Sequence, residues 1–490
     1  MVHDEPTDGM KQTARIVLGF VLLFGFCARA ATYKAPLLDH HAWRQADTAA
    51  IARNFYREGL NPLYPQIDQR GDQRFGYVET GLELFAFLVA ALARLVGFTP
   101  EIGRLLSALL FVCSCLMMWR FVRHRYGEEC GIVAAFLYAF GFPLLLWAER
   151  SFMNESLLVC LSIASLLSAQ RYLEQRRGRD LLWLILGTSL VGAIKLPYLI
   201  VWAPIAGLFL EVDGSRAWRG PLLLMMFANL VAAGAWYWHA HQLATITGLS
   251  FGMTDKLFDP AVVFSMSFPR VMASRLMKDI LGPVGVVGAL GGLWYGLRER
   301  RWCEAFGIAG FVAYLVLVAG GNYIHDYYQL AVMPVAPSLV SFGVLRLVDA
   351  FATSPERRRR WLATALGVAA LATFVRSASA HSWYEYAPGD VELCRSIGTA
   401  SVSEERVAML GTSDPKLLFC ADRKGWLLPA PVDEQALHRI WEEGARLVVV
   451  PKTLPGDESA RAFLAASGSQ VISTLDADVF RLAPPPGPSK

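Results

Sequence analysis

About eleven apolar runs, each near the length that carries a helix across a bilayer, recur along most of this chain, and that repetition restricts it to a polytopic α-helical membrane protein. The runs lie at 15–31, 103–122, 131–148, 152–170, 181–196, 198–211, 221–238, 281–297, 303–320, 329–347 and 361–376. Charged residues make up 18% of the 490 residues, below the quarter usual for soluble domains. The net charge of +4 is too small to draw a polyanion, and no RNA- or DNA-binding signature appears, so nucleic acid is excluded as a partner.

Loop charge sets the direction of threading. With residues 1–14 in the cytoplasm, Arg120 with Arg123, His124 and Arg125 falls inside. So do Arg171 with Arg176, Arg177 and Arg179, then Arg216 with Arg219, Arg298 with Arg300 and Arg301, and Arg357 to Arg360. Counting 81–97 as a further span would send Arg120 to Arg125 outside. That run is therefore expected to be a helix at the outer interface, with Glu83 and Arg94 toward polar surroundings. Residues 32–102 become one large external loop, and about 239–280 another. Ala28-Arg29-Ala30 mimics a signal-peptidase site, but the spans that follow argue for a retained anchor.

The spans, residues 15–376, form one body, and the tail from 377 to 490 changes character. Strand-like runs at 407–411, 417–420, 447–450 and 471–473 alternate with helical patterns at 434–444 and 458–467, which predicts a small α/β domain. An odd number of spans places it in the periplasm. Its proline-rich end, 484–488, reads as disordered. Cys394 and Cys420 lie in this tail and are candidates for a disulfide in an oxidising compartment. Cys27, Cys113, Cys115, Cys130, Cys160 and Cys303 read as apolar filler without metal-ligand spacing.

Polar residues crowd the external edge, where a cluster is costly unless it binds or reacts. The first loop carries Asp39, His40, His41, Arg44, Gln45, Asp47, Arg53, Asp68 and Glu79. Arg44 and Asp47 share a helix face, as an ion pair anchored by Trp43 and Tyr56 or as part of a reactive site. Glu149, Arg150 and Glu155 sit in the next external turn. Acids from two such loops can share one cleft, although helix capping by Asn154 and Glu155 is the simpler role. Lys195, flanked by apolar residues, needs an anion: a lipid phosphate or an internal carboxylate. His325, Asp326, Tyr327 and Tyr328 suit sugar hydroxyls or phosphate, with an interface belt as the alternative for the tyrosines. His239 and His241 diverge on a helix, Asp39-His40-His41 is only a weak metal hint, and no zincin, phosphate-loop or dinucleotide motif accompanies them.

These residues resemble the GT-C membrane glycosyltransferases, in particular the dolichyl-phosphate-mannose protein mannosyltransferase and aminoarabinose transferase type. Trp43-Arg-Gln-Ala-Asp-Thr-Ala with Ala52-Arg-Asn-Phe is similar to the bacterial branch, and Gly76-Tyr-Val-Glu-Thr to its second first-loop motif. Glu149-Arg150 with Glu155, and His325-Asp-Tyr-Tyr, match later signatures, so the resemblance covers roughly 15–376. It implies an inverting transfer of a hexose or pentose from a polyprenyl-phosphate donor to a lipid, glycan or protein acceptor at the periplasmic face of a bacterial inner membrane. An acid after the first span serves as base. Where the commonest pattern has Asp-Glu ahead of the helix, this chain has Arg44-Gln45, which leaves Asp39 and Asp47 both open, Asp39 being favoured at the membrane boundary. Glu155 and Glu79 correspond to the family's other acidic positions. Arg44, Arg150, Lys195 and His325 are expected to face the departing phosphate, with His41, Gln45, Tyr327 and Tyr328 also toward substrate. Phosphate is already a good leaving group, so no cofactor is required, and a divalent metal stays open without a motif to support it. A transporter, the rival class, gathers its polar residues at the bilayer midplane rather than in external loops. The other rival is a non-catalytic envelope-assembly protein.

Overall fold

A computed structural model describes residues 8–212, 219–252, 256–454 and 458–484. Residues 1–7 of the expected cytoplasmic segment, Arg216, and 485–488 of the proline-rich end lie outside the described residues. The chain divides into two compact units.

The first unit holds most of the apolar helices, from residues up to Tyr33, Arg104–His239 and Gly252–His381. Each apolar run read from the sequence contains helix, with breaks or late starts in several, as at 152–154 and 333–335. Among the described residues five helices are long and apolar enough to cross a membrane: Gln12–Ala30, Pro100–Tyr126, Glu155–Gln175, Arg219–Thr247 and Pro355–Ser379. The count rises to seven if two bent pairs are single spans, Ser267–Ile280 with Gly282–Arg298 at 105° and Asp326–Val332 with Ala336–Phe351 at 64°. Other runs are shorter or broken. The run at 131–148 splits into Glu128–Phe140 and Pro143–Ala148, because Pro143 has no backbone N–H to continue the first helix.

Small residues let these helices approach closely, as in lipid, where packing rather than water exclusion drives association. Gly282–Arg298 lies against Ala336–Phe351. A Cβ added at Gly343 would sit 1.9 Å from the Gly288 carbonyl oxygen and 2.3 Å from the Gly292 nitrogen. Both are backbone atoms that cannot swing aside. Gly343→Ala is therefore expected to destabilise the protein by about 1–3 kcal/mol, read as a fall in the thermal midpoint in detergent. An unchanged midpoint would show that the two helices separate freely.

The second unit comprises Lys34–Gly103, Ala240–Phe251 and Ser382–Lys490, so the loop after the first helix is compact with the tail. The tail sheet consists of β1 (Arg406–Leu410), β2 (Gly425–Leu428), β3 (Ala445–Pro451), β4 (Gly468–Ser473) and β5 (Ala477–Leu482), in the order β2-β1-β3-β5-β4. β1 runs parallel to β2 and β3, and β5 antiparallel to β3 and β4. Alternation along the strands builds two cores. Ala408, Leu410, Val448 and Val450 pack with the helices Glu434–Glu442 and Glu458–Ser467. Val407, Met409, Leu447 and Val449 pack with Leu393, Ile397 and Leu418.

The expected strand at 417–420 is instead the helix Lys416–Cys420. Asp414 accepts a hydrogen bond from the Lys416 amide, and the turn begun at Pro415 closes a helical rather than an extended segment. Cys420 is bonded to Cys394, with a Cα–Cα separation of 5.6 Å. The short helix lies against the first-loop helix Ala42–Glu58. Arg53 donates to the Phe419 carbonyl at 3.0 Å and pairs with Asp68 and Asp422, while Arg57 forms a two-pronged pair with Asp422. Glu58 joins Arg70 and Lys424. The tail thus grips the helix that carries Arg44, Gln45 and Asp47.

Candidate active site

The first-loop candidates sit around the start of Ala42–Glu58. Asp39 is 4% exposed and accepts a 2.5 Å hydrogen bond from the Gln45 side-chain amide, which also donates to the His40 carbonyl at 2.9 Å. His41 stands at the helix N-cap with φ of 54°, a left-handed conformation that a residue with a Cβ adopts only where its surroundings hold it. Its ring lies 3.9 Å from that of His40, which also stacks on Trp383. A buried carboxylate fixed by an amide beside two imidazoles can accept a proton from a hydroxyl.

Asp47 lies in the second turn of the helix and is 3% exposed. Burial pushes its carboxyl up to about 8, with Asp68 and Asp414 adding to the rise against the opposing pull of Arg44 and a hydrogen bond from Trp43. Arg44 itself pairs with Glu83 at 2.9 Å, and Thr80 donates to the same carboxylate. Glu79 adjoins this cluster with side-chain partners of its own. It accepts from the Ser250 hydroxyl at 2.9 Å and meets His241 at 3.4 Å.

The Asp47 shift has a sign that can be measured. The folded state holds a proton that the unfolded chain releases near 3.8, so stability falls as pH rises from there toward about 8 and then levels. Each pH unit inside that window costs about 1.4 kcal/mol. Asp47→Asn, neutral throughout, should flatten the dependence in denaturation curves taken across the window. An unaltered slope would mean that Asp47 is ionised in the folded protein.

In the membrane unit, Glu155 opens the helix Glu155–Gln175, and Asn154 makes no side-chain cap bond there. Glu155 is 3% exposed, takes a 3.1 Å contact from the Lys195 ammonium through Oε1, and keeps a buried Oε2 without a hydrogen-bond partner among the described residues. Lys195 follows the last turn of Gly178–Ile194, where Pro197 starts a 3-10 segment. Its Nζ lies 3.7 Å from the centre of the Tyr328 ring, 4.9 Å from Tyr327 and 5.2 Å from Tyr198. His325 stacks on Tyr328 at 5.6 Å and adjoins Tyr327. Both tyrosines are buried rather than arrayed as an interface belt. The unit thus gathers Glu155, Lys195, His325, Tyr327 and Tyr328 into one cage with a spare carboxylate oxygen.

Arg150 donates from Nε to the Thr32 hydroxyl at 2.6 Å. Glu149 has a structural partner: Arg29 of the first helix pairs with it at 2.7 Å and Tyr138 donates to it. The sequence reading missed Tyr198 beneath Lys195 and Glu83 beside Arg44. Only the polar character of Glu83 within an apolar run signalled it.

Residues 83–238 match the family model described as dolichyl-phosphate-mannose-protein mannosyltransferase. No curated protein matches the chain by sequence. Among solved structures, ArnT from Cupriavidus metallidurans bound to undecaprenyl phosphate aligns with a TM-score of 0.66 at 13% identity, covering 97% of this chain and 98% of that one. The Archaeoglobus fulgidus oligosaccharyltransferase in the apo form aligns at 0.56 and 13% identity, covering 91% and 70%. The same organism's AglB, in complex with an inhibitory peptide and a dolichol-phosphate, aligns at 0.54 and 13%, with the same coverage. The chain thus resembles the dolichyl-phosphate-mannose-protein mannosyltransferases over residues 83–238 and shares the fold of ArnT from Cupriavidus metallidurans over nearly its whole length.

Proposed function

We propose that the protein is a membrane glycosyltransferase that moves a sugar from a polyprenyl-phosphate carrier to a hydroxyl of a cell-envelope lipid, glycan or protein, with inversion. The observation that carries this reading is a fold shared almost end to end with a protein crystallised with undecaprenyl phosphate. Asp39 takes the proton of the acceptor hydroxyl as its oxygen attacks the anomeric carbon, and the carbon–phosphate-oxygen bond breaks on the opposite face. Arg44, Arg150, Lys195 and His325 meet the charge that builds on the leaving phosphate. His41, Gln45, Glu79, Glu155, Tyr327 and Tyr328 hold the reactants by hydrogen bonds. Most of the rate then comes from positioning, since phosphate needs little help to leave.

The same reading assigns about eleven spans, residues 1–14 in the cytoplasm, a body over 15–376 in a bacterial inner membrane, and a periplasmic domain over 377–490. Labelled sugar carried on a polyprenyl phosphate, supplied to the purified protein with envelope extracts, is expected to appear in an acceptor fraction with the wild type and not with Asp39→Asn. No transfer by the wild type from any polyprenyl-phosphate sugar overturns the reading. For the threading, alkaline phosphatase fused after residue 400 is expected to be active. A fusion that is inactive while a fluorescent protein at the same point folds would reverse it.

A further inference from the structure

We propose that a basic cavity at the other end of the helix Glu155–Gln175 binds the headgroup of an anionic phospholipid, in the leaflet opposite the one Glu155 faces. This site is separate from the transfer chemistry. The helix has 21 residues and is about 30 Å long at 1.5 Å per residue, the thickness of a bilayer's hydrocarbon core. Glu155 stands at its first residue, and Gln170, Arg171 and Glu174 line the cavity near its last. The end of Pro100–Tyr126 supplies the opposite wall. The cavity measures about 520 Å³, enough for a headgroup rather than a lone ion.

Its charge is not balanced from within. Arg123 pairs with Glu128, His124 with Glu174, and Arg125 with Glu211 and Glu304. Arg120 and Arg171, both exposed to the cavity, have no carboxylate partner among the described residues. Two orphaned polar atoms belong to buried lining residues. The Nε of Arg125, whose side chain is 6% exposed, has no acceptor, and the Oε1 of Gln170 has no donor among the described residues. A missing acceptor and a missing donor, beside two uncompensated guanidinium groups, call for a phosphate diester that carries a hydroxyl or ammonium group. Basic pockets between helices at this depth recognise anionic headgroups in that way. Arginine suits the task because its planar fork matches two phosphate oxygens.

The test uses the full-length protein in nanodiscs of phosphatidylcholine, with and without phosphatidylglycerol. Native mass spectrometry on release from the mixed discs is expected to show retained phosphatidylglycerol. The Arg120→Gln/Arg171→Gln double variant should retain about tenfold less, one cation's loss compounding the other's. Both side chains are exposed, so the variant's melting curve in phosphatidylcholine alone should match the wild type. Should it not match, Arg120→Lys/Arg171→Lys decides instead: its charge restores retention if the site is the one described. Equal retention by wild type and the glutamine variant overturns the proposal. So does a stabilisation by inorganic phosphate, in phosphatidylcholine alone, as large as that given by phosphatidylglycerol, since the ligand would then be a soluble anion.

Discussion

Asp39→Asn is expected to lower turnover by about a hundredfold or more while leaving the melting curve of the protein in place. The substitution preserves shape and keeps an oxygen where the Gln45 amide donates at 2.5 Å. What it removes is basicity. Asp47→Asn supplies the contrast. With its carboxyl pushed up to about 8 by burial, Asp47 is largely protonated at neutral pH and cannot collect a second proton there. Its asparagine variant should therefore retain most of the activity near pH 7. If Asp47 were the base, the wild-type rate would climb with pH through about 8, and Asp47→Asn would lose that limb together with the activity. A full pH profile of both variants thus separates the two carboxylates. Near wild-type turnover in Asp39→Asn at every pH removes it from the reaction.

Local patterns were legible in the sequence and long-range pairings were not. Apolar runs became helices because a backbone in lipid must satisfy its own hydrogen bonds, whatever surrounds it. The tail helices Glu434–Glu442 and Glu458–Ser467 followed their periodicity. β5 escaped notice because it carries Asp478 in its interior, a buried acid made tolerable by Arg461. The run at 417–420 misled because four apolar residues fit a strand or a buried helical turn equally well, and the disulfide partner that settles its place is 26 residues away. In the candidate site, Lys195 announced that it needed an anion, but the choice between a lipid phosphate and Glu155 depended on a contact across 40 residues. Arg44 and Asp47 share a helix face as their spacing implies, yet the pairing partner of Arg44 is Glu83. Side-chain spacing fixes which residues can meet on one helix and says nothing of what a second helix brings against them.

Lys195→Met is expected to damage both stability and donor use, and a second substitution separates the two. Removing the ammonium leaves Glu155 charged, 3% exposed and without its partner, a change that costs about 3–5 kcal/mol in a buried pair. The same ammonium sits on the faces of Tyr328 and Tyr327, so its loss also empties the centre of the cage. The double variant Lys195→Met/Glu155→Gln has no stranded charge, and most of the lost stability should return. Two functions then predict different rates. If Lys195 serves only to neutralise Glu155, the double variant regains its fold and matches Glu155→Gln alone in its donor response. If Lys195 meets the donor phosphate, the double variant folds well but still needs at least about tenfold more polyprenyl-phosphate sugar to reach half its maximal rate. Its response to acceptor concentration should stay close to that of the wild type. Recovery of donor use together with stability would confine Lys195 to a structural role and shift the phosphate to Arg150 and His325.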